Sequence, residues 1–488
     1  MNLWSEEAIE AIHNASLALL ERGGVRVESD EARAIFFAAG CKAGVTDRVL
    51  VPAGVVEEAL ATLPRQFTLA ARNAERSLTM DPEPAQIYVH NMGGARAMID
   101  PRTGASTLAT MRDQIVLARV MHSLANQHEV CPLVMPQDVP GDLEPLYSYL
   151  VLAHETDKAL GGPGISHPFQ AEYVVEMAKV VTGASGDDGV YPVDIAFSPV
   201  SPLLLGAEVT DAMLETLRRG HVVVEILPCP AAATTAPGAI AAAVATQNAE
   251  ALAGIVLAQI VAPGTPMYYG PRLSATDPRT GVVTSGTPET GVASVAATLL
   301  ARRYGLPCDC YGPTSDSKTV DTQLGYEHAL NAIIGMAARP RFLSGLGDIQ
   351  AGVGSSPEVL LIDDEILNYC FYALEERPWD NDALDVDAMI EGALSGQGYL
   401  GTKHTRRYIR KDLAIPLLSY RGGLNEWIAS GRSGLVDIAS EKVAEIVARG
   451  PLGCPDEMLE ELCRLIDSAA RQIGMAEWPD PRGMIGSV

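Results

Sequence analysis

Residues 221–270 read HVVVEILPCPAAATTAPGAIAAAVATQNAEALAGIVLAQIVAPGTPMYYG. The β-branched run at the start predicts a strand. The alanine-rich piece after Thr-Thr-Ala-Pro predicts a helix that ends at Ala-Pro-Gly. The closing TPMYYG predicts a second strand. A strand, a helix and a strand in this order form a βαβ unit, whose two strands run parallel.

The predicted helix, over residues 238–261, contains one charged side chain, Glu250. Its length suits a membrane span. Three further polar side chains, Gln247, Asn248 and Gln259, interrupt the apolar sequence, and strands flank the helix closely. A helix that is apolar nearly all round packs inside a large domain or an oligomer interface. We therefore predict a buried helix.

The composition limits the function classes. The chain has 488 residues, 47 % of them hydrophobic and only 5 % aromatic, so the core is aliphatic. A formal net charge of −25 argues against nucleic acid and anionic membranes as partners, because both attract basic surfaces. We expect a cytoplasmic protein without a signal peptide, since the N-terminal segment lacks a basic region before its apolar residues. Eight scattered cysteines do not indicate a disulfide framework.

Three parts are predicted along the chain. Residues 1–85 form an N-terminal helical cap, with helices over 5–22, 29–39 and 55–63. Residues 86–380 form the central domain. Residues 381–488 form a C-terminal helical extension packed on the barrel described next, and they include the basic run KHTRRYIRK, which is unusual in so acidic a chain.

Strand and helix patterns alternate through the central domain. Two of the eight predicted strands belong to the opening unit, and the others cover 86–91, 130–135, 159–161, 193–197, 307–311 and 341–344. Eight βα units over about 300 residues predict an α/β fold of the TIM (β/α)8 barrel type. A doubly wound open sheet is the alternative, but no GxGxxG follows the first strand.

The chemistry of a barrel of this type lies in the loops that follow its strands. Tyr268, Tyr269 and Tyr311 lie at such positions and form a candidate aromatic cage, which binds quaternary ammonium groups through the negative ring faces. Arg272 is a candidate partner for a substrate carboxylate. The alternative is that these tyrosines only pack in the barrel.

The cysteines suggest two further hypotheses, a zinc site and a thiol nucleophile. Cys308 and Cys310 are alternate residues of one strand and share a face, so they would bind zinc if a His or Glu came from another strand. Cys229 is a candidate thiol nucleophile. No second Cys/His cluster has ligand spacing, so we expect no metal. No partner His for the Cys229 thiol is identifiable from the sequence.

Several ordered segments resemble the trimethylamine methyltransferase family. In chain order they are GVRVESDEA, LPRQFTLAARNAER, PQDVP, GGPG, APGAIAAAVATQNAEALAGIVLAQIVAPGTPMYYG, DPRTGVVTSGTPE, TSDSKTVDTQLGYEHA, LLIDDEILNY and KHTRRYIRKDLAIP. The resemblance covers nearly the whole chain. It implies a TIM barrel that removes a methyl group from a methylated amine and passes it to the Co(I) centre of a separate corrinoid protein, which docks at the barrel mouth.

The founding archaeal enzymes of this family carry pyrrolysine, whereas this chain has standard residues only. It resembles the non-pyrrolysine branch, which includes glycine betaine methyltransferases. A quaternary nitrogen leaves as a neutral amine and needs no further activation. The resemblance therefore implies methyl transfer from glycine betaine or a related betaine. It also implies that cobalamin is carried by the corrinoid partner and that no cofactor is bound tightly by this chain. We expect a homo-oligomer.

We assign hypothetical roles to the candidate residues, and the resemblance carries over no catalytic residue. The cation site consists of His90, Tyr268, Tyr269 and Tyr311, with Arg272 for a carboxylate, and the loop-ordering residues are Glu289, Asp316 and Lys318. Two alternatives stay open. One is a zinc-dependent or O-demethylating corrinoid methyltransferase that uses Cys308 and Cys310, and the other is a non-catalytic binder of methylated amines.

Overall fold

The computed structural model of the chain describes residues 3–377 and 379–485. The N-terminal part contains helices where the sequence predicts them, and also short strands that the prediction of a purely helical cap missed. The helices are α1 (Glu6–Ala18), α2 (Asp30–Ala38) and α3 (Ala53–Ala61), and the strands are β1 (Val25–Val27), β2 (Lys42–Ala43), β3 (Arg48–Leu50), β4 (Phe67–Leu69) and β5 (Leu78–Met80). Each strand has at most three residues, which is too short for a readable alternation.

Strands and helices alternate from Tyr88 to Leu374. The strands are β6 (Tyr88–Asn91), β7 (Ala97–Ile99), β8 (Ser106–Leu108), β9 (Glu129–Val130), β10 (Ala159–Leu160), β11 (Val190–Tyr191), β12 (Asp194–Phe197), β13 (Leu204–Leu205), β14 (Val223–Ile226), β15 (Ala231–Ala232), β16 (Met267–Tyr269), β17 (Ser274–Thr276), β18 (Val283–Thr284), β19 (Asp309–Tyr311), β20 (Phe342–Leu346) and β21 (Gly354–Ser355). The helices are α4 (Met111–Ser123), α5 (Glu144–Glu155), α6 (Pro168–Thr182), α7 (Ala207–Arg219), α8 (Ile240–Val261), α9 (Pro288–Tyr304), α10 (Thr322–Ala337) and α11 (Pro357–Leu374).

Two parallel sheets form the centre of the domain. One has the order β10-β9-β6-β20-β19, and the other has the order β12-β14-β16. Single parallel bridges, Gly161 to Asp194 and Tyr269 to Cys308, join the two sheets at either side. Every predicted strand segment overlaps one of these strands, although 130–135 shares only Val130 with β9 and 341–344 stops before the end of β20, and the mixed α/β class is confirmed. The strands do not form one continuous hydrogen-bonded sheet, so a closed (β/α)8 barrel stays a proposal.

The βαβ unit predicted from residues 221–270 is present as β14, α8 and β16, and its strands pair in parallel. Within the described residues, α8 is the single helix whose length and composition would suit a membrane span. Of its most apolar 18-residue stretch, 83 % is buried inside the protein. The predicted buried helix is confirmed.

A polar cluster fixes α8 against the N-terminal helix α1. Asn248 Nδ2 donates hydrogen bonds to Ser16 Oγ at 2.8 Å and to Tyr304 Oη at 2.9 Å, while Tyr269 Oη donates to Asn248 Oδ1 at 2.7 Å. Ser16 Oγ also donates to the carbonyl of Ala245 at 2.8 Å. All these groups are buried, so each depends on the others to satisfy its polar atoms.

The β4–β5 hairpin contributes to the floor of the central domain. Phe67 and Met80 belong to a small apolar cluster with Val223, Tyr268 and Phe342, which are inward-facing residues of the central strands. The Phe67 and Tyr268 ring centroids are 5.6 Å apart. The N-terminal part thus supports the base of the region in which the candidate site lies.

Helices continue to the C-terminal end of the described residues. They are α12 (Val386–Leu394), α13 (Lys403–Asp412), α14 (Leu424–Ala429), α15 (Leu435–Ala448), α16 (Asp456–Gln472) and α17 (Pro481–Ile485). Helix α15 packs on α4 and α11, and α16 packs on α5 and α6. The division of the chain into domains at residues 85 and 380 stays a prediction.

Replacing Asn248 with alanine tests the polar cluster. We expect the substitution to lower the free energy of unfolding by about 2–3 kcal/mol, because the buried hydroxyls of Ser16 and Tyr269 lose partners. Urea denaturation followed by tryptophan fluorescence measures this change. The control is Asn14→Ala at an exposed position of α1, which we expect to stay within about 0.5 kcal/mol of the parent. Equal midpoints for the two variants would contradict the assigned role.

Candidate active site

A cavity of about 380 Å³ lies between the two parallel sheets. Its walls are side chains from alternate strand positions, because successive residues of a strand point to opposite faces. On β14, Glu225 lines the cavity, whereas Ile226 packs outward close to Gly254 of α8. On β16, Tyr268 lines the cavity, whereas Tyr269 bonds to Asn248 of α8.

Five carboxyl groups line the cavity. One belongs to the half-buried Glu144, and the four deeply buried ones belong to Glu129, Asp194, Glu225 and Asp309, each of which is at most 6 % exposed. Sequence reasoning missed all four because it looked at the loops after the strands. The available signal was a single acidic residue within an apolar strand, as in VVVEI and VDIAF. Such residues are seldom buried without a functional or structural reason.

Arg272 is the cationic centre of this group. Its guanidinium bonds to the Asp309 carboxylate, donates to the Asp309 carbonyl at 2.5 Å, and lies 3.6 Å from Glu225 Oε1. The guanidinium carbon also lies 5.3 Å from the centroid of the Tyr311 ring. Arg272 is thus already bonded to carboxylates of its own chain, which differs from the predicted role of binding a substrate carboxylate.

The predicted site residue His90 belongs to the same cluster. Its Nε2 lies 3.0 Å from Asp309 Oδ2, and its Nδ1 lies 2.9 Å from the Asn91 carbonyl oxygen. Burial alone would raise the pKa of Asp309, but Arg272 and His90 outweigh burial and hold that pKa well below its usual range. Asp309 is therefore ionised, and its charge is shared by two basic side chains.

The other three deeply buried carboxyl groups have raised pKa values. Burial raises the pKa of Glu225, and the negative charge of Asp309 adds to the effect. Burial likewise raises the pKa of Glu129, with Asp194 the next largest cause. Burial raises the pKa of Asp194 to about 6, although His90 and a hydrogen bond with Glu129 oppose the shift. The cavity thus holds carboxyl groups that gain or lose protons as ligand charge changes.

Aromatic rings form the deep wall. The Tyr268 and Phe342 rings meet edge to face with centroids 5.6 Å apart, and Phe342 meets the His90 ring edge to face at 5.3 Å. The Tyr268 hydroxyl is buried without a hydrogen-bond partner. Aromatic faces beside carboxylates favour a cation with apolar substituents, such as a methylated ammonium group.

The structure brings four of the five predicted substrate-binding residues to the cavity: His90, Tyr268, Arg272 and Tyr311. The fifth, Tyr269, does not line it. Its hydroxyl bonds to Asn248, and its ring meets Tyr304 with centroids 5.8 Å apart. Since Tyr268 and Tyr269 are successive strand residues, only one of them can face inward. The prediction that both tyrosine rings bind the cation is therefore corrected, because only the Tyr268 ring lines the cavity.

The predicted loop-ordering residues lie apart from the carboxyl groups. Asp316 accepts hydrogen bonds from the backbone N–H groups of Ser285 and Gly286, both at 3.0 Å, and so ties two loops together. Lys318 is exposed and lies with Asp316 in a separate surface cavity. Glu289 is exposed in the first turn of α9. Asp316 therefore links two loops through these contacts, while the loop-ordering roles of Glu289 and Lys318 stay predictions.

The cysteine hypotheses gain no support. Cys308 and Cys310 are buried and do not line the cavity. No group of three or more His, Cys, Asp or Glu residues in the described part of the chain is placed to hold a metal ion. Cys229 lines the cavity, and its Sγ donates only to the Leu227 carbonyl, at 3.7 Å.

One cysteine near the carboxyl groups escaped the sequence analysis. Cys131 Sγ lies 3.8 Å from His90 Nδ1, a distance that resembles a Cys–His pair. Burial raises the pKa of this thiol well above its usual range, and the charge of Glu129 adds to the effect. Cys131 therefore stays a protonated thiol, which is a weak nucleophile. The cavity can bind and orient a cation, but it supplies no activated nucleophile of its own.

The rim of the cavity consists of small residues. Gly93 and Gly94 follow β6, and the segment 162–164 follows β10. A Cβ atom added at Gly94 or Gly164 would meet no atom within 4 Å, so the rim leaves open space around the cavity.

Known proteins resemble this chain over most of its length. The profile of the trimethylamine methyltransferase (MTTB) family matches residues 1–472. A glycine betaine methyltransferase from Desulfitobacterium hafniense (strain Y51) is 30 % identical over 429 residues, covering 87 % of this chain and 88 % of that protein. The trimethylamine methyltransferase MttB of Methanosarcina thermophila is 28 % identical over 456 residues, covering 92 % and 93 %.

Among solved structures, the monomethylamine methyltransferase (MtmB) of Methanosarcina barkeri is 12 % identical, with a TM-score of 0.48. The similarity covers 92 % of this chain and 94 % of that chain. The family profile covers far more than half of the chain, and the resemblance noted in the sequence is confirmed. The chain belongs to the trimethylamine methyltransferase family.

Proposed function

We propose that this enzyme removes a methyl group from a quaternary ammonium compound and transfers it to the Co(I) centre of a separate corrinoid protein. The observation that carries the proposal is the cavity of four buried carboxyl groups beside the Tyr268 and Phe342 rings. Its two basic side chains, Arg272 and His90, are already engaged with Asp309. The cavity therefore has negative charge available for a cation.

The cavity residues suit the demands of methyl transfer. A tetrahedral ammonium group fits against aromatic faces and carboxylates without needing a hydrogen bond to nitrogen. Fixing the ammonium group aligns one N–CH₃ bond with the incoming nucleophile, which removes much of the entropic cost of the reaction. The inward aromatic rings exclude water from the methyl group.

The corrinoid is a cosubstrate on another protein. When it is bound there, it supplies a strong Co(I) nucleophile, so this chain needs no activated nucleophile of its own. The open space at Gly94 and Gly164 fits that arrangement, because a large flat ring must approach the cavity from the rim. We place the docking face at this rim and expect no cofactor bound tightly by the chain itself.

The finer substrate expectation is glycine betaine or a related betaine. The relative that is 30 % identical to this chain is named for glycine betaine, and the relative that is 28 % identical is named for trimethylamine. Standard residues throughout the chain favour the quaternary ammonium substrate, since its nitrogen leaves as a neutral amine. The zinc-dependent, O-demethylating and purely binding alternatives have no observation in their favour.

Three further expectations belong to this proposal. The bridges between the two sheets support a closed (β/α)8 barrel. A cytoplasmic location is consistent with the net charge of −25. Helix α8 is buried within the chain, so it offers no surface for a homo-oligomer. We expect a homo-oligomer because of the exposed apolar side chains of residues 374–435. More than half of the exposed large apolar side chains of the described chain lie in that segment.

A methyl-transfer assay tests the activity. The purified chain is mixed with Co(I)-cobalamin or a corrinoid protein and, in turn, each quaternary amine or trimethylamine, and visible absorbance follows methyl-Co(III). The quaternary amines are glycine betaine, proline betaine, carnitine, γ-butyrobetaine, choline and tetramethylammonium. We expect methyl-Co(III) with at least one of these and none with trimethylamine. No transfer from any of them under reducing conditions would contradict the proposal.

Binding of a cation without titratable groups should depend on pH. Asp194 has a pKa of about 6, so it is ionised above that value and neutral below it. We expect the affinity for tetramethylammonium to fall as the pH drops, by up to about fivefold between pH 6 and pH 5. Titration calorimetry from pH 5 to pH 8 measures the effect. The groups that face Asp194 are His90, Glu129, Cys131, Tyr149, Glu225, Tyr268 and Asp309.

Two variants test whether Asp194, and not a neighbouring group, causes the pH dependence of binding. Asp194→Asn should lower the affinity at pH 7.5 and remove most of the pH dependence near pH 6. Glu208→Gln, at an exposed position in the first turn of α7, should keep the parent profile. An unchanged profile in Asp194→Asn would show that this carboxylate does not face the cation.

A further inference from the structure

Both basic side chains of the cavity, Arg272 and His90, are bonded to groups of the chain itself. Arg272 bonds to the Asp309 carboxylate and carbonyl and to the Gly270 carbonyl at 3.3 Å, and it also lies near Glu225. His90 has Asp309 beside one ring nitrogen and the Asn91 carbonyl beside the other. The Arg272 Nη atoms and both ring nitrogens of His90 are therefore already bonded within the chain, and a ligand carboxylate would compete with Asp309 for them.

Several carboxyl oxygens of the cavity have no hydrogen-bond partner. Asp194 Oδ1, Glu225 Oε1 and Asp309 Oδ1 are buried and accept no hydrogen bond from a fixed donor. Two carboxyl pairs, Glu129 with Asp194 and Glu225 with Asp309, are close enough to share a proton. At pH 7.5 a carboxylate brought into this water-poor site would add a like charge beside the ionised Asp194 and Asp309 carboxylates, which is unfavourable.

We propose that the substrate of this cavity is a quaternary ammonium compound without a carboxylate close to the nitrogen, of the choline type rather than glycine betaine. The inference rests on the proposed function, narrows its substrate class to quaternary amines without a nearby carboxylate, and replaces the glycine betaine expectation that the name of one relative suggests. A hydroxyl group in place of the carboxylate would donate a hydrogen bond to the unpartnered carboxyl oxygens. The ammonium group would meet their negative charge and the Tyr268 and Phe342 rings.

Choline and glycine betaine form a matched pair of probes. They share the trimethylammonium group and the adjacent carbon, and they differ in whether a hydroxymethyl group or a carboxylate follows. Any difference in affinity therefore reports the replacement of the hydroxymethyl group by the carboxylate. The uncharged carbon isostere of choline controls for the ammonium charge, and tetramethylammonium controls for the hydroxyl group.

Titration calorimetry of the full chain at pH 7.5 tests the inference without any corrinoid. We expect choline to bind at least about 30-fold more tightly than glycine betaine, because the like-charge penalty falls on the betaine only. Tetramethylammonium should bind within about tenfold of choline, since it lacks only one hydrogen bond. The uncharged isostere should not bind detectably. Glycine betaine binding as tightly as choline would overturn the inference.

Variants of the Arg272 partners provide a second readout. Asp309→Asn removes the carboxylate that holds Arg272, and Glu225→Gln removes the neighbouring one with less disturbance. Each should lower the ratio of choline affinity to glycine betaine affinity, and Glu208→Gln should leave it unchanged. If Asp309→Asn does not fold, Glu225→Gln still gives the ratio. An unchanged ratio in Glu225→Gln would contradict the charge argument.

The methyl-transfer assay separates the two proposals. Methyl-Co(III) formed from choline or tetramethylammonium but not from glycine betaine supports both. Methyl-Co(III) formed from glycine betaine but not from choline keeps the proposed function and overturns the substrate inference. If no quaternary compound binds or reacts, both fail.

Discussion

The buried contact between Arg272 and Asp309 determines much of the site around it. A guanidinium and a carboxylate held away from water require each other, since either one alone would be strongly destabilising. Asp309 also receives His90, so one ionised carboxylate holds both basic side chains of the cavity. The carboxyl groups of Glu129, Asp194 and Glu225 are left without a basic partner of their own at hydrogen-bonding distance.

This excess of carboxyl groups explains their shifted pKa values and suggests what the cavity binds. Buried carboxyl groups without basic partners hold protons until a cation replaces them. A quaternary ammonium ion is such a cation, and it brings no proton donor that would compete. The chemistry of methyl transfer needs the protein to orient and shield the substrate, while the nucleophile comes from the corrinoid. The lack of an activated thiol at Cys131 is consistent with this division of work.

The scaffold behind the cavity depends on helix α8 and its neighbours. Asn248 satisfies Tyr269 on the outward face of β16, and Tyr268 then faces the cavity. The aromatic wall on one face of this strand is thus coupled to the packing of α8 on the other face. The N-terminal hairpin adds Phe67 beneath Tyr268, so the segment before the strand–helix alternation also helps to shape the site.

The sequence by itself determined the alternation of strands and helices, the buried α8 and the family, because periodicity, caps and ordered motifs are local properties of the chain. It also proposed five residues for the substrate from their positions at strand ends, and four of these five line the cavity. It did not decide which of Tyr268 and Tyr269 faces inward, since that depends on strand register. Nor did it find Glu129, Asp194, Glu225 and Asp309, because they come from four distant strands. Only the tertiary structure brings these carboxyl groups to one cavity and pairs Arg272 with Asp309, since contacts between distant segments depend on how the sheets and helices pack.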